Sequence, residues 1–531
     1  MGTNKVKTSK LETKEIVKNS ILKVEFVGAN IANLLIFIID KEGLKGALSS
    51  VYGKMLQSEI KYNDFKPITG KAINVGVING QKVIFVGFGK NENEEENNED
   101  NCKDNNKLTL QAQKLGAIIA NLTPVEKKTT VCISNKFSNS IKDEMLVEIY
   151  FGYNQKIHRF SKYLTDKKAI DKLPNVNKVI LSSNGNNDLS KNAKIKQLLL
   201  KRQNQLEGIF YTRTLGNEPS NVIYPESFAN EIVKAFSDVK NTKVKILNKK
   251  EIENLGMNML LGVAQGSVKE PKVVVVEYNG NKNKKNIDLA LVGKGVTFDS
   301  GGLCIKPSSC MNGMKGDMIG AATILSSLLT MAKNNMKINV VAVAGMVENM
   351  PSGSAQKVGD IVKSMSGKTV EIIDTDAEGR LVLGDILYYT QSVYKPECLI
   401  DMATLTGAIM VALGTERAGI FSNNNELAKK LQTSGELTGD RCWIMPMGKE
   451  YADAMKSEIA DLRNLSSVRY AGSATAGEFL RSFIGDNKKW AHIDIAGVDI
   501  ATKNNSFCIA DFASGYGVKL LNDFAERNIE K

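Results

Sequence analysis

The sequence predicts an α/β protein of two domains: a smaller N-terminal α/β domain and a larger C-terminal α/β domain with a central mixed, largely parallel sheet. Three observations carry that prediction. Short apolar strand patterns alternate with helical ones through both parts of the chain. After residue 240 the strand patterns become apolar on both faces, as in a sheet covered by helices on each side. A Lys-, Leu- and Gln-rich helical stretch at 190–213 separates the two regions.

In chain order, strands are predicted at 21–27, 34–39 and 82–89. Residues 91–106 are polar and of low complexity, too poor in apolar side chains to offset ordering entropy, so a disordered loop is expected there. A helix at 108–122, a strand at 130–134, a helix at 141–152 and a strand at 177–182 complete an N-terminal domain over 1–185. A linker helix is expected over 186–215, ended by the Gly, Asn and Pro of the segment 213–221. The C-terminal domain, 216–531, has strand patterns at 244–247, 273–276, 289–292, 340–344, 370–373 and 398–400, all assigned to its central sheet.

Composition bounds the function. With 531 residues, 42% hydrophobic and 24% charged, the chain fits two or three globular domains. No apolar run approaches the ~20 residues of a membrane span. The Lys-rich N-terminus lacks an apolar signal core, so a cytoplasmic location with no membrane partner is expected. Seven scattered cysteines without a CxxC pair argue for a reducing compartment and against a structural zinc knuckle. Only His158 and His492 are present, which excludes HExxH zinc sites and disfavours a His-based triad. His158 is expected to be exposed and His492 to pack in the core. The net charge of +12 resides almost wholly in residues 1–200, with 31 basic against 21 acidic, leaving nucleic acid as a possible partner of that region.

Two stretches carry chemistry. In the first, the strand at 289–292 runs into Gly293-Lys294-Gly295-Val296-Thr297-Phe298-Asp299-Ser300-Gly301-Gly302, followed by Lys306 and by Asp317 at the head of a helix. Its glycines match neither a phosphate loop nor a dinucleotide fingerprint. In the second, the strand at 370–373 leads into Asp374-Thr375-Asp376-Ala377-Glu378-Gly379-Arg380, with Gly379 supplying an unusual backbone angle and a helix following. Lys294, Asp299, Asp317, Asp376 and Glu378 are then oxygen and nitrogen donors, with Lys306 and Arg380 as cations. Four gathered carboxylates repel one another unless divalent cations relieve them, and oxygen donors suit Mn²⁺, Mg²⁺ or Zn²⁺. Lysine ligates only when deprotonated, which a neighbouring dication promotes. Asp360 and Asp385 read as helix or turn carboxylates, and Cys304 and Cys310 as packed thiols.

These two segments resemble the signatures of the leucyl (cytosol) aminopeptidase family. Shorter matches at 217–221, 347–349, 403–408 and 490–497 extend the resemblance over roughly residues 210–521. The resemblance implies a dinuclear metal-dependent aminopeptidase that removes leucine and other mainly apolar N-terminal residues from peptides, for protein turnover. It implies two divalent ions per subunit (Mn²⁺ or Zn²⁺). Lys294, Asp299, Asp317 and Glu378 hold one ion, and Asp299, Asp376 and Glu378 the other. By the same resemblance Lys306 stabilises the oxyanion and Arg380 holds a bicarbonate that serves as base. The first side chain meets Met314, Thr404, Leu405, Gly407 and Ala496. The family forms homohexamers, and some bacterial members also bind DNA. Asp499 stands where relatives carry an apolar or small residue, which implies admission of Lys or Arg besides Leu and Met. Asp374 for Asn and Gly384 for Ala are departures outside the ligand set.

Overall fold

The computed structural model describes residues 13–26, 29–63, 65–89, 104–125, 128–183, 189–503 and 505–530. The chain divides into two compact units. One comprises residues 1–207 with 504–509, the other 208–503 with 510–531, so the division falls inside the helix Ala193–Asn217.

Among the described residues the first unit holds six strands: β1 (Lys23–Glu25), β2 (Leu34–Ile39), β3 (Ala72–Ile78), β4 (Gln81–Gly87), β5 (Thr129–Phe137) and β6 (Val176–Ser182). They form one sheet in the order β1-β6-β5-β2-β4-β3, parallel except for the hairpin β3/β4. The uniformly apolar β2 is buried along its whole length at the centre. β3 was not anticipated, because as an edge strand it alternates exposed and buried residues and bulges at Gly76. The loop expected at 91–106 lies outside the described residues except at 104–106. Those three residues open the helix Asp104–Asn121 instead.

The second unit adds β7 (Thr242–Leu247), β8 (Lys272–Asn279), β9 (Leu289–Asp299), β10 (Asn339–Asn349), β11 (Ile361–Lys363), β12 (Thr369–Glu371), β13 (Cys398–Ala403), β14 (Ala418–Ser422), β15 (Cys442–Ile444), β16 (Leu462–Arg463) and β17 (Lys489–Asp494). Eight form a mixed sheet in the order β15-β14-β17-β13-β9-β10-β8-β7, whose four middle strands run parallel. The α/β class and the mixed, largely parallel sheet predicted from the sequence are what the chain adopts. β14 and β15, at one edge, were not anticipated.

The strand expected at 370–373 is not in the central sheet. As β12 it sits in a separate three-stranded sheet, β11-β12-β16. Val370 and Ile372 are buried while Glu371 and Ile373 are only partly so. That alternation marks a one-faced strand, unlike the doubly covered β9 and β10. The core between sheet and helices gathers Val292, Val343, Leu383, Leu387 and Trp490, all fully buried. Each such side chain contributes about 1.5–3 kcal/mol, which fixes the helix Gly379–Tyr394 against the sheet and sets where its first residues stand.

Candidate metal centre

The carboxyl ends of the parallel strands converge on one cluster, as expected for open α/β sheets. Lys294 lies within β9 and Asp299 ends it. Five residues apart, they would point to opposite faces of a regular strand. The β9/β10 register resolves this. Val296 pairs with Val347 and Asp299 with Asn349, so β9 carries one extra residue. That bulge returns Asp299 to the face of Lys294. Asn349 Nδ2 then donates to Asp299 Oδ1 at 2.8 Å and to the Thr375 carbonyl at 3.0 Å.

After Asp299 the chain turns through Gly301 and Gly302, at φ +88° and +64°, where only glycine fits without strain. Gly301 N donates to Asp299 Oδ1 at 2.9 Å. The turn delivers Lys306, whose Nζ lies 2.8 Å from Asp299 Oδ2 and also pairs with Asp376. Cys304 is half-buried, but Cys310 is exposed rather than packed.

Asp317 follows the 3₁₀ turn Met314–Gly316. Its Oδ1 lies 2.7 Å from Lys294 Nζ and accepts from Thr404 Oγ1 at 2.7 Å. Thr404 comes just after β13, and its carbonyl accepts from Lys294 Nζ at 2.9 Å. Glu378 precedes the helix Gly379–Tyr394, with Oε1 2.8 Å from Lys294 Nζ.

Gly379 plays a different part from the one the sequence suggested. Its φ is not positive. What it supplies is space: a Cβ there would lie 2.6 Å from Lys294 Cε and 2.7 Å from Nζ. Asp374 Oδ1 accepts from Asp376 N at 2.9 Å, shaping the loop between the two carboxylates. Thr375 Oγ1 donates to the Gly301 carbonyl at 2.6 Å and accepts from Cys304 N, tying this loop to the first.

Asn464 braces the same loop and had no signal in the sequence, being a lone Asn in a polar stretch. It accepts from Ile373 N at 2.7 Å and donates to the Asp374 carbonyl at 2.6 Å. Asp494, inside a matched segment but given no role, accepts from Leu405 N at 3.1 Å and Thr406 Oγ1 at 2.7 Å. It also accepts from Ala496 N at 3.3 Å, so one carboxylate ties together Leu405, Thr406 and Ala496. Thr404, Leu405, Ala496 and Met314 are half-buried and Gly407 exposed at a helix start. His492 is fully buried as expected, its Nδ1 2.5 Å from Asp401 Oδ1, whereas His158 is half-buried rather than exposed.

Asp299, Asp317, Glu378, Lys294 and Arg380 are all buried, and Asp376 partly so. Burial pushes the Asp317 carboxyl up, as do Glu378 and Asp299, against the pull of Lys294. Glu378 is raised by burial and by Asp299. Asp376 is pushed up to about 7, mainly by burial, with Lys306 opposing. Burial works to lower Lys294 and Lys306, but the surrounding carboxylates raise both. The cluster thus holds more negative charge than its own lysines can accommodate.

The donors suit divalent cations. Oxygens of Asp299, Asp376 and Glu378 lie within 4.8 Å of one another. Asp317 Oδ2 is buried without a hydrogen-bond partner, and Arg380 Nε likewise, although Arg380 Nη1 is bonded. Burial lowers Arg380 to about 10, against the nearby acids Glu378, Asp494 and Asp374, so it stays a cation at neutral pH.

Residues 210–522 match the model of the cytosol aminopeptidase family, catalytic domain. A probable cytosol aminopeptidase of Rickettsia bellii is 40% identical over 517 residues, covering 94% of this chain and 98% of that one. The cytosol aminopeptidase of Rickettsia prowazekii is 45% identical over 368 residues, 69% of this chain and 72% of its own length. A lysine-to-glutamate mutant of tomato leucine aminopeptidase superposes with a TM-score of 0.80 at 26% identity, covering 95% of this chain and 96% of that one. The bottromycin maturation enzyme BotP in complex with Mn shares the fold, with a TM-score of 0.77 at 24% identity over 93% and 98% of the two chains.

Proposed function

The chain belongs to the cytosol aminopeptidase family and is a peptidase, and on that premise we propose that it is a dinuclear metal-dependent aminopeptidase. Its substrates are peptides with a free N-terminus, from which it removes leucine and other mainly apolar residues. The observation that carries this reading is the convergence of Lys294, Asp299, Asp317, Asp376 and Glu378 in one buried cluster. The manganese named for BotP fits the same oxygen-rich donor chemistry.

Lys294, Asp299, Asp317 and Glu378 would hold one ion, and Asp299, Asp376 and Glu378 the other, Asp299 and Glu378 being shared. Bound there, Mn²⁺ or Zn²⁺ supplies Lewis acidity and lowers the pKa of a nucleophilic water. The remaining work falls to the chain. Lys306 is held by Asp299 and Asp376 and is kept protonated by them. Aimed at the scissile carbonyl, its ammonium stabilises the charge that develops on oxygen.

The free α-amine would be received at the ion held by Lys294 and Asp317, a reading supported by Asp317 Oδ2, which is buried without a hydrogen-bond partner. A blocked N-terminus has no free amine to offer there. The unpaired Nε of Arg380 suits a small anion, and bicarbonate would supply the base that no histidine of the cluster provides. Thr404, Leu405, Gly407, Ala496 and Met314 bound the pocket for the first side chain. The comparisons lend no support to a nucleic-acid role, and the homohexamer remains an expectation from the family.

The test is hydrolysis of leucine p-nitroanilide by the purified full chain. Chelator should abolish it and Mn²⁺ or Zn²⁺ restore it. Undiminished hydrolysis after complete metal removal refutes the reading.

A further inference from the structure

The metal cluster gathers at the carboxyl ends of the parallel strands, and a separate cavity of about 230 Å³ opens at their amino ends. Asp288 immediately precedes β9, Cys398 opens β13 and Lys489 opens β17, and all three line it. Lys294 stands six residues beyond Asp288, so at ~3.3 Å per residue the cavity lies roughly 20 Å from the metal cluster.

The base of this cavity is apolar. Leu427, from the helix Asn425–Thr438, and Phe524, from the helix Val518–Asn528, are both buried, as is Cys398. Burial pushes the Cys398 thiol up to about 12, with Lys489 and Lys430 opposing, so both ammonium groups act over that base. The volume falls below the ~300–1,000 Å³ of drug-sized sites and restricts an occupant to a small molecule.

Charge around the rim is unbalanced, with four lysines against three carboxylates. Lys284 pairs with Asp288 and, at 2.9 Å, with Glu397, while Lys430 pairs with Glu426 at 2.7 Å. Those pairs engage all three carboxylates. Lys337 and Lys489 have no ion-pair partner among the described residues, yet both are fixed at the backbone. Lys337 N donates to Glu530 Oε1 at 2.8 Å, and Lys489 is in register with Cys398. Two unengaged ammonium groups above an apolar base suit an anion that carries its own apolar surface. A phosphate dianion brings none, and it meets Asp288, Glu397 and Glu426 as like charges.

We propose that this cavity is a second ligand site, separate from the metal centre, for a small carboxylate with a short apolar chain. Lys337 and Lys489 hold the carboxylate, and the chain lies on Leu427, Phe524 and Cys398. The site does not depend on the aminopeptidase reading, although the apolar amino acid that such an enzyme releases belongs to this chemical class.

The test is isothermal titration calorimetry of 4-methylpentanoate into the Mn²⁺-loaded full chain. The metal centre is first filled with leucine hydroxamate, so that only a second site takes the probe. One molecule per chain should bind, with a Kd on the order of 1 mM. The uncharged 4-methylpentanamide and inorganic phosphate should each bind about tenfold more weakly or less. In the double variant Lys337→Gln, Lys489→Gln the affinity for 4-methylpentanoate should fall about tenfold, with hydrolysis of leucine p-nitroanilide as in the unaltered chain. Absence of binding, or equal binding of acid and amide, would overturn the proposal, and both comparisons stand even if the variant fails to fold. Phosphate binding as tightly as the acid would overturn it, as would undiminished affinity in the double variant.

Discussion

The main-chain carbonyl of Asn464 accepts a hydrogen bond from Arg380 Nη1 at 2.9 Å, and the side chain of the same residue spans the loop that carries Asp376 and Glu378. Replacing Asn464 by alanine leaves backbone groups of residues 373 and 374 without partners, at a cost of about 1–3 kcal/mol for each that stays buried. Asn464→Ala is therefore expected to retain metal poorly on dialysis and to lose about tenfold or more in kcat/KM. Metal content and activity matching the unaltered protein would show that the brace is dispensable.

Gly379→Ala tests whether close approach explains the glycine. In an isolated helix alanine would stabilise by about 1 kcal/mol. Here the added methyl collides with Lys294, which pairs with Asp317 and Glu378. The expected result is a folded protein, by circular dichroism, with little bound metal and little activity. Full activity would mean that Lys294 can shift without consequence.

Lys306→Met removes the proposed oxyanion partner and keeps a similar stem. A fall in kcat on the order of 10²–10³ is expected, with KM and metal content close to those of the unaltered enzyme. A change confined to KM would assign Lys306 to substrate binding instead.

Asp385 predicts a pH dependence of stability. It is fully buried and accepts from Met259 N, Leu260 N and Met365 N at 2.9, 3.1 and 2.8 Å. Burial outweighs those donors and raises its carboxyl from 3.8 to about 7. Because the folded pKa lies above the unfolded one, its stabilising contribution is complete below pH 3.8. It is lost as pH rises through about 7, at up to about 1.4 kcal/mol per pH unit. Asp385→Asn leaves a buried amide facing backbone N–H groups and should lower Tm. The gap between variant and unaltered protein should narrow from pH 4 to 7.5, and thermal scans that show it widening would contradict the assignment.

The fold and the grouping of the donors were legible for different reasons. Apolar runs such as β2, residues 289–292 of β9 and residues 340–344 of β10 announce doubly covered strands, so the class of the sheet could be read directly. β3 and β12 alternate in burial, and the run Val370-Glu371-Ile372-Ile373, apolar but for one glutamate, does not reveal whether one face of the strand or both are covered. Two dense motifs marked Lys294, Asp299, Asp317, Asp376 and Glu378, whose gathering the structure displays and whose role as ligands is the proposal. What brings them together was not legible. The bulge that turns Asp299 onto the face of Lys294 depends on the register with β10. Asn464 acts across about ninety residues of chain and carries no local pattern. Gly379 reads in the sequence as a backbone-angle glycine because its neighbour in space, Lys294, is distant in sequence.

The most direct test is the metal content of the purified chain after reloading with Mn²⁺ or Zn²⁺, measured beside its activity on leucine p-nitroanilide. The account predicts two ions per chain, with activity following their uptake, and loss of both ions and activity in Glu378→Gln because that carboxylate is shared. A metal-free chain that is fully active, or a Glu378→Gln chain that keeps two ions and full activity, would contradict it.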